Sequence, residues 1–318
     1  MTFPKLKFFT EIQKAQRILL AGAGGGFDIY CGLPLYFDLL EMGKEVYLAN
    51  LSFADLHSSD AKSISDFAVE VKATTRGKES YFPELHLVRW LAGQGYKTSL
   101  YAFDTTGVKP LQDNYQTLIK LLNLDTIILI DGGTDSLMRG DEADLGTPQE
   151  DAASIAAVHF LEAPVSKILV CLGFGVDTHH GVSHFEVLQA VADLTRSSDY
   201  LGAWSLTPDM QSVERYREAF QYATQKMPTH PSIVSASVLD GIYGEFGDFH
   251  RTERTRGSEL FINPLMGLYW TFNLTGIAKR NLYLEQIRNT QTYWELRSSI
   301  EVFRANHQGI KSWKGIPL

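Results

Sequence analysis

The stretch that decides the fold is ILLAGAGGGFDIYCG, at residues 18–32. A short apolar run ends in a cluster of glycines, and Asp28 follows two residues after the last of them, Gly26. An apolar run of this length is typical of a buried strand, and the glycines permit a tight turn after it. Backbone N–H groups in such turns commonly bind an anion. We therefore expect Gly24, Gly25 and Gly26 to contact a ligand, with Asp28 beside it.

Similar apolar runs recur along the chain between segments with helical periodicity. The runs are 17–23, 45–51, 97–103, 126–131, 167–173, 200–206 and 231–238, and the clearest helical segments are 33–43, 82–95 and 212–227. Strands that are apolar without strict alternation are buried on both faces. Their alternation with helices predicts an α/β fold, with an open, mostly parallel sheet and helices on both faces.

The remainder of the chain is predicted to pack on this sheet rather than to form a second domain. Segment 239–259 is rich in glycine and charge, which indicates a long loop or lid. Segments 263–280 and 282–308 look helical. We expect a single domain over residues 1–318, with a helical C-terminal portion at 263–308 packed on the sheet.

The composition of the chain argues against several classes of binding partner. The 318 residues are 44% hydrophobic and carry a net charge of −8 without any Lys/Arg-rich run, which argues against nucleic-acid and membrane partners. Two cysteines are too few for a disulfide framework, and no apolar stretch reaches the roughly 20 residues of a membrane span. We expect a cytoplasmic protein that binds a small molecule, either as a monomer or as a homo-oligomer.

Two familiar nucleotide-binding motifs are absent from the sequence. The dinucleotide fingerprint G-x-G-x-x-G would need a glycine where Phe27 stands, and an acid at the end of the second strand where Asn50 stands. The P-loop pattern G-x-x-x-x-G-K-[ST] does not occur. Hydrolysis or group transfer is therefore favoured over redox chemistry.

The segment DGGTDSLMRGDEADLGTPQED, at 131–151, follows a strand and is rich in carboxylates. Asp131 ends a buried strand, where an unpaired carboxylate would be costly. Oxygen-rich loops suit divalent metal ions, ribose hydroxyls or a cationic amine; the alternative is a solvated acidic loop. We expect Asp131, Asp135 and Asp141 to bind a metal or hydroxyl groups. The predicted ligand contacts beside them are Gly132, Gly133 and Thr134.

A histidine-rich segment, VDTHHGVSHFE, occupies residues 176–186. A helix that begins near Gly181 would place His180 and His184 one turn apart on one face. With Asp177 they would offer two nitrogens and an oxygen to Zn²⁺ or a similar ion, or a histidine for proton transfer. The alternative is capping of a helix N-terminus.

The segment EFGDFHRTERTRG, at 245–257, holds closely spaced arginines in an acidic protein. Arginines in a mobile loop can bind phosphate or carboxylate groups. We expect Arg251 and Arg254 to close over a ligand; the alternative is ordinary surface charge.

Five segments together resemble the DUF1152 family of archaeal and bacterial proteins of unknown activity. They are AGAGGGFDIYCGLPLY, YFPELHLVRWL, LIDGGTDSLMRGDEADLGTPQEDAASIAAV, GFGVDTHHGVSH and INPLMGLYWTFNL. The resemblance spans nearly the whole chain, and DGGTDSLMRGDE is its most specific part. It implies a Rossmann-like fold and assigns no catalytic residues.

These features predict an enzyme, a hydrolase or group transferase, that acts on a small phosphorylated or nucleotide-like metabolite. Its cleft would lie at the carboxyl ends of the strands, where open α/β sheets bind ligands. The predicted catalytic residues are Asp131, Asp135, His180 and His184, and the predicted ligands of a Mg²⁺, Mn²⁺ or Zn²⁺ ion are Asp131, Asp135, Asp141 and Asp177. A non-catalytic binding module, and an oligomer that associates through GLYWTFNL at 267–274, are the alternatives.

Overall fold

The computed structural model describes residues 6–252, 255–258 and 260–317, and strands and helices alternate along most of this length. The strands are β1 Arg17–Gly22, β2 Glu45–Leu51, β3 Lys62–Ser65, β4 Ala68–Val71, β5 Leu100–Phe103, β6 Thr126–Asp131, β7 Ser166–Leu172, β8 Tyr200–Ser205, β9 Gly247–Asp248, β10 Phe261–Ile262 and β11 Leu268–Asn273. The helices are α1 Lys7–Lys14, α2 Asp28–Cys31, α3 Leu33–Glu41, α4 Pro83–Gly93, α5 Val108–Leu122, α6 Pro148–His159, α7 His184–Arg196, α8 Gln211–Lys226, α9 Ile233–Ile242, α10 Leu274–Arg280, α11 Leu284–Ile287 and α12 Tyr293–Asn306.

Nine of the described strands form one sheet, in the order β3-β4-β5-β2-β1-β6-β7-β11-β8. The central strands β5, β2, β1, β6 and β7 are parallel, whereas β11 runs antiparallel between β7 and β8. The predicted α/β fold with a mostly parallel sheet is confirmed. β1 pairs with β2 on one side and with β6 on the other, so the chain continues to both sides of β1. In open α/β sheets a crevice lies at such a point, here at the carboxyl ends of β1 and β6.

Helices cover both faces of the sheet, which explains why its strands are apolar without alternation. In β6, Ile128 and Ile130 belong to one core cluster, whereas Ile127 and Leu129 belong to the cluster on the opposite face. The first cluster includes residues of α1–α4, α8 and α9, and the second includes residues of α5–α7 and α10–α12. The C-terminal helices α10, α11 and α12 therefore pack on the second face.

The predicted strand at 231–238 is wrong, because this segment forms helix α9. Ser232 caps the helix by accepting a hydrogen bond from the backbone N–H of Ser235 at 3.1 Å. Most residues of α9 are buried, and a helix that is apolar on all sides has the same short apolar signature as a buried strand. The same helix occupies the start of the predicted loop at 239–259.

The predicted helix at 263–280 is correct only in its last third. Residues 268–273 form β11, which pairs with β7 and β8 inside the sheet, and α10 follows it. The aromatic side chains Tyr269 and Phe272 are fully buried. The segment GLYWTFNL therefore contributes to the core. Its aromatic and β-branched residues are of the types that favour a strand.

The predicted helices at 33–43, 82–95 and 212–227 are confirmed as α3, α4 and α8. The antiparallel hairpin of β3 and β4 was not foreseen in the sequence, since its strands have four residues each and are partly exposed. Within the described ranges, no helix has both the length and the apolar character needed to cross a bilayer.

Candidate functional site

The glycine- and aspartate-rich turns predicted from the sequence lie around one cavity of about 240 Å³. The turns follow β1, β6 and β7, which are neighbours in the sheet, and the starts of α6 and α9, with Phe53 and Tyr81, form the rest of the wall. Sequence-predicted residues that line the cavity are Gly24, Gly25, Gly26, Asp28, Asp131, Gly132, Asp135, Asp177 and His180. The site is thus an acidic pocket at the crevice between β1 and β6.

Asp28 binds to the glycine turn in which it stands. Its Oδ2 accepts a hydrogen bond from the backbone N–H of Gly24 at 2.6 Å, and the backbone of Gly132 also donates to the carboxylate. A Cβ atom on either glycine would lie 2.8 Å from a carboxylate oxygen of Asp28. The glycines therefore allow the backbone of two turns to approach this carboxylate, which takes the place that an external anion has in similar turns.

Asp131 and Asp151 lie beside Asp28. One oxygen atom from each of the three carboxylates lies within 4.8 Å of the other two. Asp131 accepts a hydrogen bond from the hydroxyl of Ser136. Asp151 is 3% exposed, and its Oδ1 is buried without a hydrogen-bond partner among the described residues. An unpartnered buried carboxylate oxygen is costly, so a cation between the three side chains would stabilise them.

Asp135 and Asp177 complete the acidic lining. The backbone N–H and the hydroxyl of Thr147 donate to Asp135 Oδ2 at 2.8 and 3.1 Å. The backbone N–H of Thr134 donates to Asp177 Oδ2 at 2.7 Å, while a Cβ on Gly133 would lie 2.8 Å from the same carboxylate. Thr134 and Gly133 therefore orient Asp177 rather than line the cavity themselves.

The five carboxylates have raised pKa values because they are buried near one another. Burial raises the pKa of Asp28 to about 8, and the charges of Asp135 and Asp177 add to that shift. Burial and neighbouring carboxylates hold the pKa values of Asp131, Asp151 and Asp177 well above the usual range. Burial also raises the pKa of Asp135, against the opposing effect of the hydrogen bonds from Thr147.

The acidic side chains that line the cavity are not balanced by lysine or arginine side chains among the described residues. No lysine or arginine of the described residues is part of its lining, which includes His179 and His180. Two charged carboxylates 4.8 Å apart, the greatest separation within this cluster, would repel one another by about 3.5 kcal/mol at an effective dielectric constant of about 20. A divalent ion would remove this repulsion, and three carboxylate oxygens suit Mg²⁺ or Mn²⁺.

The two candidate histidines lie in different places. His180 ends the 3-10 turn Val176–His180 and lines the acidic cavity. Helix α7 begins at His184 and is capped by Ser183, so the two histidines do not share a helix, and the predicted helix start near Gly181 is wrong. The ring of His184 packs against Phe174 at 5.1 Å in a separate apolar cavity.

Two further candidates, Asp141 and Arg251, lie away from the cavity. Asp141 forms ion pairs with Lys311 at 2.8 Å and with Arg139 at 3.3 Å. Nε of Arg251 donates to Asp240 Oδ1 at 2.6 Å, so this arginine stabilises the buried end of α9. Arg254 lies outside the described residues. The structure thus places neither Asp141 nor Arg251 beside the acidic cavity.

Sequence reasoning did not single out several residues that line the cavity: Phe53, Tyr81, Thr147, Asp151 and His179. Phe53 could have been noticed because it follows the carboxyl end of β2, where parallel strands present their ligand-binding residues. Asp151 lies in the first turn of α6, so its place became visible only once the start of that helix was known.

The close packing around Gly22, the last residue of β1, leads to a prediction about the stability of the protein. A Cβ atom there would overlap Oδ1 of Asn50 and lie 2.9 Å from the backbone nitrogen of Ile29. We expect Gly22→Ala to lower the free energy of unfolding by about 1–3 kcal/mol, as overpacking does, in urea titrations. Gly93→Ala is the control, because a Cβ at the end of α4 meets nothing within 4 Å; equal effects of both changes would contradict the prediction.

Of three comparisons with known proteins, the one with family models agrees with the sequence resemblance. None of the curated proteins compared matches this chain. Among solved structures, the chain is similar to that of the antimicrobial reagent A40926 pseudoaglycone deacetylase Dbv21, with 10% identity and a TM-score of 0.39. That match covers 81% of this chain and 98% of the other, and it is too weak to carry an argument. A family model described as "Protein of unknown function (DUF1152)" matches residues 19–305. Because this match spans most of the chain, the protein belongs to the DUF1152 family.

Proposed function

We propose that the protein is a divalent-metal-dependent hydrolase or group transferase that acts on a small phosphorylated or nucleotide-like metabolite. One observation carries this proposal: the oxygens of Asp28, Asp131 and Asp151 lie within 4.8 Å of one another, and Asp151 Oδ1 is buried without a described partner. Buried carboxylates in such a cluster are stable when they bind a cation.

The ion that fits these ligands is Mg²⁺ or Mn²⁺, since hard oxygen donors prefer hard cations. When bound, such an ion polarises a phosphoryl or carbonyl oxygen and lowers the pKa of a water molecule. It also offsets the negative charge of the pocket, which by itself would repel a phosphate group. A phosphorylated substrate is therefore compatible with this pocket in the presence of the ion.

The protein supplies orientation and proton transfer. The N–H groups of Gly24 and Gly132 fix Asp28, and Ser136 fixes Asp131, so both carboxylates are held in place before a ligand arrives. His180 lies at the same cavity, close enough to Asp135 for their charges to interact, and it can donate or accept a proton there. The reaction is a hydrolysis if water accepts the transferred group, and a group transfer if another molecule accepts it.

The test is a calorimetric titration of Mn²⁺ and Mg²⁺ into the wild type, Asp151→Asn and Asp209→Asn. Asparagine has nearly the same shape as aspartate but lacks its charge, so we expect Asp151→Asn to weaken ion binding at least about tenfold. Asp209 lies outside the cavity and is fully exposed, so Asp209→Asn should bind like the wild type. The proposal fails if the wild type binds neither ion, or if Asp151→Asn binds as well as the wild type.

Turnover is measured on the ion-loaded wild type with phosphate esters and nucleotides, and products are identified by mass spectrometry. We expect product only with the ion present and a loss in Asp151→Asn that parallels its loss of ion binding. Ion binding with intact substrate in every case would favour a non-catalytic binding module.

A further inference from the structure

We propose that the substrate carries a hydroxylated ring, as in a sugar or a nucleoside, and that this ring stacks on Phe53 at the rim of the acidic cavity. The inference rests on the proposed function, since it places the substrate at the same cavity. It adds a residue that specifies the class of substrate and that is independent of the ion ligands.

Phe53 is an exposed aromatic side chain at a pocket that is rich in glycine and aspartate. It lies two residues beyond the end of β2, its side chain is 48% exposed, and it lines the cavity. Its ring packs against the glycine turn, where a Cβ on Gly25 would lie 2.6 Å from the ring atom Cζ. Gly25 and Gly26 both have positive φ angles, of 89° and 59°, so glycine permits the turn as well as the contact. The ring is thereby fixed at one edge, while its exposed surface can take a planar or cyclic partner.

A second aromatic residue lies at the same rim. The hydroxyl oxygen of Tyr81 would lie 3.0 Å from a Cβ on Gly26, and its ring centre is 6.5 Å from that of Phe27 in an edge-to-face arrangement. All three aromatic residues line the cavity. The mouth is therefore aromatic and the floor is acidic.

The floor favours hydroxyl groups as binding partners. Asp135 and Asp177 are each oriented through Oδ2 by a backbone N–H, and a carboxylate has about four acceptor sites in total. Each can therefore accept further hydrogen bonds from hydroxyl groups. The volume of about 240 Å³ is below the range of about 300–1,000 Å³ for drug-sized ligands, so it suits a ligand no larger than a sugar or a nucleoside.

The test measures binding of three probes to the full-length protein at saturating Mn²⁺: adenosine, methyl glucoside and the linear polyol sorbitol. We expect at least one ring compound to bind, and sorbitol to bind at least tenfold more weakly. Phe53→Ala should weaken the ring compound about fivefold or more, as loss of one stacked ring does. Preference for adenosine or for the glucoside then separates a nucleoside from a sugar.

Phe67→Ala is the matched control, because Phe67 is 40% exposed and lies in the turn between β3 and β4, away from the cavity. It should bind the ring compound like the wild type. Phe53 is not an ion ligand, so Phe53→Ala should still bind Mn²⁺, and this binding also shows that the variant is folded. If Phe53→Ala does not bind Mn²⁺, Phe53→Leu is used in its place.

The inference is overturned if neither ring compound binds to the Mn²⁺-loaded wild type, if sorbitol binds as tightly as the rings, or if loss of the Phe53 ring leaves affinity unchanged. Each of these results leaves the ion site intact. A wild type that binds no Mn²⁺ would instead contradict the proposed function itself.

Discussion

The stability of the metal-free protein is expected to fall as the pH rises from about 4 to about 8. Burial raises the pKa of Asp28 to about 8, so in this range the folded state keeps a proton that the unfolded state has lost. The stability that the protonated carboxyl contributes is fully present below the unfolded pKa and is lost as the pH rises through the folded pKa. Each unit of upward shift corresponds to about 1.4 kcal/mol.

This pH profile is measured by thermal unfolding between pH 4 and pH 9 in the presence of a chelator. Added Mn²⁺ should raise the Tm more at pH 8 than at pH 5, because the ion competes with protons for the carboxylates. Asp151→Asn should flatten the profile, since it removes one of the carboxyls whose pKa is raised by burial. A Tm that stays constant or rises from pH 4 to pH 8 without the ion would contradict the expectation.

Replacement of Arg304 is expected to cause the second large effect. Its guanidinium donates to the carbonyls of Gly140, Glu142 and Ala143 at 3.1, 2.6 and 3.0 Å, and so ties α12 to the loop that follows β6. Hydrogen bonds from charged donors are worth about 1.5–3 kcal/mol each. We expect Arg304→Met to lower the free energy of unfolding by about 3 kcal/mol or more in urea titrations.

Arg297→Met is the control on the same helix. Arg297 is half-exposed and pairs with Glu301 one turn away, and exposed pairs of this kind contribute little. Its replacement should therefore change the free energy of unfolding by less than about 0.5 kcal/mol. We also expect Arg304→Met to weaken Mn²⁺ binding, because this loop leads into α6, whose first turn carries the proposed ion ligand Asp151. Similar effects of the two variants on unfolding would show that the contacts to the loop contribute no more than a surface pair.

The central part of the site was predictable from sequence because parallel strands end at a common edge. Asp131 ends the apolar strand β6, Asp28 and Asp177 follow β1 and β7 by a few residues, and the order of the strands makes their turns neighbours. The sequence predicts that Gly24 and Gly132 contact a ligand; in the structure, the backbone of both residues approaches the carboxylate of Asp28.

Other features depend on where helices begin, which the sequence leaves uncertain by several residues. The start of α7 at His184, rather than near 181, separates His184 from His180. The start of α6 at Pro148 brings Asp151 to the cavity. Helix α9 was mistaken for a strand because it is buried on most sides, so its sequence has no polar face that would reveal its period.

The place of β11 has a consequence for the order in which the chain folds during synthesis. Within the described sheet, β8 is an edge strand whose neighbour is β11, and β7 is also covered on that side by β11. A ribosome that has released residues only as far as α9 therefore holds a chain in which β7 exposes an unpaired edge and β8 has no partner. The five parallel strands can assemble first, whereas β8 must wait for residues 268–273. Arg304, which holds the loop beside the acidic cavity, is synthesised later still, so the site reaches its final form only after α12 has left the ribosome.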